Sequence, residues 1–162
     1  MAAKPRAHIT PSADTAPPDG GTLADRMVLE IRKFIAASIF FNTKAAEHAG
    51  LGLTDMQTLH MLQLYGPSTP SRLAEWTGLS SGGVTVALDR LQRAGYIRRE
   101  PNPADRRSLL AMIVPGRLRK LEALYKDVEQ GTRRELAKLP DKDLEATLRV
   151  FAALAEARNP AE

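Results

Sequence analysis

The 162-residue chain contains no cysteine. That absence excludes a thiolate nucleophile, a Cys-ligated zinc site and a cysteine redox sensor, and it suits a reducing compartment. Histidine is almost as scarce: His8, His48 and His60 are the three present. No two of them stand at the H-x-x-x-H spacing that puts two ligands on one helix face. No G-x-x-x-x-G-K cradle, G-x-S-x-G elbow or G-x-G-x-x-G turn occurs either. With these chemistries missing, neither an enzyme nor a cofactor or metal site is expected. Apolar runs are short, far below the roughly 20 residues that span a bilayer, and residues 1–21 lack the apolar centre of a signal peptide. The expectation is a soluble, cytoplasmic protein with no membrane partner.

What is present is a chain long enough to bury one real core and a concentrated positive charge. Between Pro70 and Lys120 stand ten Lys and Arg against four acids, a surplus of six, whereas the remainder carries two more acids than bases. A basic block inside a near-neutral remainder is the electrostatic footprint of a surface that meets phosphates, although a merely solvated basic face has the same composition.

Residues 1–21, MAAKPRAHITPSADTAPPDGG, hold four prolines among small and polar residues. They have too little to bury to offset the entropy of ordering, so a disordered arm is expected, with Lys4 and Arg6 within reach of DNA or a partner subunit. From Thr22 to Gly50 helical spacing takes over: Leu23, Met27, Ile31, Phe34, Ile35, Ser38 and Ile39 share a face, Thr22 and Asp25 cap it, and Gly50 stops it. Phe40 and Phe41 widen that face, as an intersubunit surface, a cavity wall or ordinary core would require.

A second helix is predicted from a Thr54 cap to Gly66-Pro67. A third has Thr69 as cap, Pro70 at its first position and Gly78 at its end. A fourth runs from Ser80 to Gly95, with Val84, Ala87, Leu88 and Leu91 as its docking stripe and Ser81, Gly82, Thr85, Val86, Asp89, Arg90 and Arg93 facing outward. A short helix, a tight glycine turn and a longer helix make a helix-turn-helix, whose second helix reads base edges near its N-terminus. Gly82 and Gly83 cost that helix about 1 kcal/mol each relative to Ala, a cost that makes sense if backbone must approach another surface closely.

Strands are predicted at Tyr96–Arg99 and Ser108–Val114, with EPNPADRR as the turn between them. A hairpin placed there is a wing. Two more helices close the chain, one carrying Leu118, Leu121, Leu124 or Tyr125, and Val128, the other capped by Asp141 and carrying Leu144, Leu148, Phe151 and Leu154. The fold class is mainly α, a winged helix-turn-helix with a small β-hairpin wing between N- and C-terminal helices.

The stretch LAEWTGLSSGGVTVALDRLQRAGYIRREPNPADRRSLLAMIV resembles the winged helix-turn-helix of the MarR (multiple antibiotic resistance regulator) transcription factors. The resemblance is carried by Leu73-Ala74 after the Thr-Pro helix start, Asp89-Arg90-Leu91, the Ala94-Gly95-Tyr96 exit and the Asp105-Arg106-Arg107 wing. It is detailed over Leu51–Val114 and looser over the remaining helices. It implies a homodimer joined through helices at 22–50 and 115–162, with the module at 51–114 binding double-stranded DNA at a pseudo-palindromic operator, most simply as a repressor. The DNA contacts it implies are Thr69, Ser71, Arg72, Ser80, Ser81, Gly82, Thr85, Val86, Arg90, Asp105, Arg106 and Arg107. Of these, Ser81, Gly82, Thr85 and Val86 face bases, Thr69, Ser71 and Arg90 meet phosphate or orient the helix, Asp105 orders the wing, and Arg107 rather than Arg106 enters the minor groove.

The chain departs from the family in two places. Val114-Pro115 replaces the usual Leu-Thr before the fifth helix, and Val86 and Ala87 stand where polar or basic residues are frequent. An apolar Val86 suits a thymine methyl better than guanine. Family members commonly take small aromatic or phenolic effectors in a crevice beside the dimer helices; Phe34, Phe41, His60, Tyr65 and Trp76 are the wall residues this implies, and core packing accounts for each equally. The competing reading is a winged helix used for protein contacts without DNA specificity, against which the arginines in both fourth helix and wing argue.

Overall fold

The computed structural model describes residues 21–157, and of Lys120 the backbone only. The expected disordered arm therefore lies outside the described residues except for Gly21. Six helices and one hairpin follow in the order α1 (Leu23–Ala49), α2 (Leu53–Tyr65), α3 (Pro70–Thr77), α4 (Ser81–Arg93), β1 (Ile97–Asn102), β2 (Asp105–Ile113), α5 (Arg119–Leu136) and α6 (Asp141–Glu156). The chain divides into two compact units, one ending at Phe41 and the other starting at Asn42.

The first unit is the N-terminal part of α1. Its start is the expected reciprocal cap: the Asp25 N–H donates to Thr22 Oγ1 at 3.2 Å, and the Thr22 N–H and hydroxyl both donate to Asp25 Oδ2. Those bonds hold the Asp25 carboxyl below its ordinary pKa. Leu23, Met27, Val28, Phe34 and Ile35 are exposed along this part of the helix.

The second unit contains the core. Ala45 and Ala46 from the end of α1, Met56, Leu59 and Leu62 from α2, Leu73 from α3, and Val84, Ala87, Leu88 and Leu91 from α4 are buried together with Ile97 and Ala111 of the hairpin and Leu118 and Leu121. The whole predicted stripe of α4 is at zero exposure, as a helix with apolar residues at i, i+3, i+4 and i+7 must be when it docks on two others. The loop before α3 adds a third, one-residue rung to the sheet: Ser68 and Ala111 exchange backbone hydrogen bonds of 3.2 and 2.9 Å. That rung seats the start of α3 on the base of the wing.

Three local expectations are corrected. Helix α2 is capped by Gly52, not Thr54, because the Asp55 carboxylate reaches back to accept the Gly52 N–H at 3.0 Å. Pro140 occupies the cap of α6 and Asp141 is its first helical residue. The strands run further than predicted, so that only Pro103 and Ala104 remain between them, and Asp105, Arg106 and Arg107 belong to β2 rather than to a turn. Helix α5 begins at Arg119 without a side-chain cap, consistent with the missing Thr. Leu118 and Leu121 are buried in the second unit, Leu124 and Tyr125 are both half-buried, and Val128 is exposed. No described residue of α6 is buried, and Leu148, Val150 and Phe151 are exposed.

Candidate nucleic-acid interface

Two caps build the helix-turn-helix. Thr69 Oγ1 accepts the Arg72 N–H at 3.3 Å at the head of α3, with Pro70 behind it, and Ser80 Oγ accepts the Gly83 N–H at 3.1 Å at the head of α4. Between them Gly78 takes the left-handed conformation at φ 67°, closing α3 by donating to Ala74 O. The glycines in the first turn of α4 are not equivalent. A Cβ on Gly83 would lie 3.3 Å from Ser80 Oγ and 3.6 Å from Leu79 Cβ, so the cap itself asks for glycine there. A Cβ on Gly82 would meet nothing within 4 Å. Ser81, Gly82, Thr85 and Val86 form one exposed patch at this end of the helix, and the Thr85 hydroxyl is turned back onto Ser81 O at 2.9 Å.

Arg90 and Asp55 lock α4 to α2. Arg90 Nε lies 3.0 Å from both carboxylate oxygens, Nη2 lies 2.6 Å from Oδ1, and Nη2 also donates to Thr54 Oγ1 at 3.3 Å. The Asp55 side chain is 2% exposed and that of Arg90 41%, so the carboxylate is fully enclosed and the guanidinium keeps one edge in solvent. The pairing raises the Arg90 pKa, chiefly through the hydrogen bonds to Asp55. Nothing in the sequence singles out Asp55 as this partner, which stands 35 positions away. A second pair, Arg99 Nη2 to Asp89 Oδ1 at 2.6 Å, ties β1 to α4.

The wing carries its arginines in a bulge. From Ile97↔Ile113 to Pro101↔Leu109 the strands keep one antiparallel register, and the next pair is Asn102↔Asp105. Arg106, Arg107 and Ser108 are therefore extra residues on β2, a local irregularity that re-aims side chains. Polar groups fix it. Asp105 Oδ1 accepts the Arg107 N–H at 3.0 Å and lies 3.5 Å from Arg107 Nε. Ser108 Oγ donates to Asp105 O at 3.0 Å and accepts from Asn102 Nδ2 at 2.9 Å, while Asn102 Oδ1 accepts the Ala104 N–H at 3.0 Å. Asp105 thus holds the tip together with Asn102 and Ser108, two residues that the sequence does not single out. The Arg107 side chain is 94% exposed.

The five aromatic or imidazole positions expected to wall one crevice are divided between the two units, and within the second unit they make two different ring contacts. Phe34 and Phe41 belong to the first unit, the former exposed and the latter half-buried. Tyr65 and Trp76 stack on each other with centroids 4.5 Å apart and planes 28° apart, and the Arg72 guanidinium carbon lies 5.4 Å from the Trp76 ring centre. His60 instead meets the edge of Tyr125, centroids 5.4 Å apart, and Tyr125 donates to Asn42 Oδ1 at 2.6 Å. Burial lowers the His60 pKa and raises that of Tyr125. A cleft of about 520 Å³ between α2 and α5 is lined by Met56, His60, Met61, Leu64, Leu121 and Tyr125, with Glu122 and Glu129 its charged groups. Among the described residues no group of acids and histidines is arranged to hold a metal, and no helix is long and apolar enough to cross a membrane.

Comparison with known proteins matches residues 49–108 to the sequence model of the MarR family. The chain is 32% identical over 114 residues to YcgE of Bacillus subtilis (strain 168), an uncharacterised HTH-type transcriptional regulator, covering 70% of this chain and 74% of that one. It is 33% identical over 95 residues to the multiple antibiotic resistance protein MarR of Salmonella typhimurium, 59% of this chain and 66% of that one. The crystal structure of the MarR family transcription regulator SP03579 superimposes with a TM-score of 0.60 at 20% identity, over 82% of this chain and 90% of that one.

Proposed function

Because this chain belongs to the MarR family of winged helix-turn-helix DNA-binding transcription regulators, we propose that it is a cytoplasmic repressor that grips a pseudo-palindromic operator as a homodimer. The observation that carries the reading is the exposed, small-residue head of α4 set beside a wing whose arginine side chains are aimed outward by a hydrogen-bonded bulge. In such a module the second helix enters the major groove and the wing arginine the adjacent minor groove, where a narrow groove concentrates negative potential. Ser81, Gly82, Thr85 and Val86 are the base-facing positions, Thr69, Ser71, Arg72 and Ser80 sit at the helix heads for phosphate, Arg106 flanks the tip, and Arg107 enters the groove. Arg90 serves as the orienting residue: its Nε and Nη2 are both committed to Asp55, and what it fixes is the tilt of α4.

Dimerisation through residues 22–50 and 115–162 is supported by the exposed apolar side chains of α1 and, in the other unit, of α6. Large apolar groups in such numbers on a soluble surface call for a partner, and a two-fold dimer with α4 helices about 34 Å apart matches successive major grooves. An effector in the α2–α5 cleft would act on that spacing, because α2 is bonded to α4 through Asp55. Two carboxylates in the lining favour an aromatic or phenolic compound in its neutral form over a carboxylic acid.

In vitro selection of bound duplexes from random DNA tests the function. Enrichment of an inverted repeat with half-sites one helical turn apart is the expected result. Binding that enriches no sequence and does not weaken with salt would mean that the winged helix serves a protein partner instead.

A further inference from the structure

We propose that Tyr65 and Trp76 are positioning residues for DNA binding: they form an aromatic platform that holds the Arg72 guanidinium at the head of α3 for one backbone phosphate. The proposal rests on the DNA-binding reading above and reassigns two residues that the sequence suggests for an effector crevice.

Three observations converge. Tyr65, at the end of α2, is 57% exposed, so core burial does not account for a large ring there; its partner is the Trp76 ring at 4.5 Å. Arg72 lies over that same Trp76 ring at 5.4 Å, within the range over which an aromatic face attracts a cation. Arg72 also stands in the first turn of α3, three residues after the Thr69 cap, with no acid in that turn. A cation at a helix N-terminus opposes the helix dipole, a cost that the Glu75 ion pair and the Trp76 ring offset in the free protein. Beside an anion it becomes favourable, because the helix head and the guanidinium then attract the same group.

The stack explains how the arrangement is held. A free arginine loses much rotamer freedom when it grips a phosphate. A guanidinium resting on a ring is ordered beforehand, and its planar edge still presents N–H donors for a forked contact. Glu75 takes Nη1 at 3.0 Å and anchors the opposite side. The four side chains thus run Tyr65, Trp76, Arg72, Glu75 across the junction of α2 and α3, next to Thr69 and Ser71.

Salt-dependent binding of the full chain to a labelled mixed-sequence duplex decides the matter, because the slope of log K against log[salt] counts neutralised phosphates. Arg72→Gln should reduce the slope by about 0.9 for each phosphate that is no longer neutralised. Trp76→Leu should produce most of the same reduction, Trp76→Phe should keep the wild-type slope, and Arg72→Gln/Trp76→Leu should match Arg72→Gln alone. Thermal melts check folding. If Trp76→Leu does not fold, the exposed Tyr65→Ser, alone and with Arg72→Gln, replaces it in the cycle with a smaller reduction expected. Trp76 is the sole tryptophan, so its emission should also change on DNA binding. A slope that falls with Arg72→Gln but not with the platform variants, or that falls further in the double variant, overturns the positioning role. A slope unmoved by Arg72→Gln overturns the phosphate contact itself, whereas no DNA binding by the wild type would instead remove the reading on which the proposal rests.

Discussion

Gly82→Ala should make the protein more stable and a poorer DNA binder. Gly82 is the second residue of α4, has no positive φ, and the space its Cβ would enter is empty to 4 Å. Folding therefore gains from the lower entropy of the unfolded chain without a steric penalty, by about 0.5–1 kcal/mol. For a chain of this size that is a rise in Tm of about 1–4 °C. In the docking proposed above the same methyl would stand on the exposed face turned to base edges, and a misfit there costs on the order of 1–3 kcal/mol, roughly 5- to 150-fold in Kd. Gly83→Ala is the control. Its Cβ would press on Ser80 Oγ at 3.3 Å and strain a cap worth about 1 kcal/mol, so the glycine-to-alanine gain is cancelled and Tm should not rise. Thermal melting and operator titration on the same preparations read both signs. A Gly82→Ala variant that is stabilised yet binds the selected operator as tightly as wild type would refute the close approach of this turn to DNA. A fall in Tm would refute the local geometry.

Arg107→Ala should weaken operator binding and flatten preference for A/T-rich flanks, with the dimer unchanged by sedimentation, since its side chain is 94% exposed and pairs with Asp105 of the wing itself. Thr85→Ala should alter preference at one or two base positions by about 1–3 kcal/mol each in competition binding, with little change in Tm because its hydroxyl bonds only within its own helix. His60 is held below its ordinary pKa by burial. Between that lowered value and the unfolded value near 6.5 the unfolded chain binds more protons, so the stability His60 contributes is present above about pH 6.5 and is lost as pH falls through the window. Melts from neutral to mildly acidic pH should show a steeper loss for wild type than for His60→Gln; parallel curves would count against it.

What is legible in the sequence follows the reach of each interaction. The α4 stripe, the Thr69 and Ser80 caps and the Thr22–Asp25 box are set by residues close to one another along a single helix, and the structure has all of them. The cap of α2 escapes a local reading because Asp55 both reaches back to Gly52 and answers Arg90 from α4. The wing reads too short for a different reason. Turn-forming residues suggest a turn, while Asn102, Asp105 and Ser108 use the same hydrogen-bonding capacity to hold a bulge inside a continuing strand. Aromatics are the least legible: composition shows that a ring must be covered, not by what, and His60 meets Tyr125 while Tyr65 meets Trp76.

The same distinction bears on the basic block, whose ten Lys and Arg overstate the number of cations that reach DNA. Arg90 is committed to Asp55, Arg99 to Asp89 and Arg98 to Glu100, so these three cations are already compensated inside the module. Of the remaining arginines of α3, α4 and the wing, Arg72, Arg93, Arg106 and Arg107 are exposed, Arg72 and Arg107 each also lying against one carboxylate of its own element. About four phosphates neutralised per protomer, or about eight per dimer, correspond to a salt slope of about −7, whereas engaging all the basic residues of each block would correspond to about −18. Titration of the selected operator from low to moderate KCl separates the two values. A slope near about −18 would mean that the internal pairs open on binding, and α4 would then lack the Asp55 anchor that holds its tilt in the free protein.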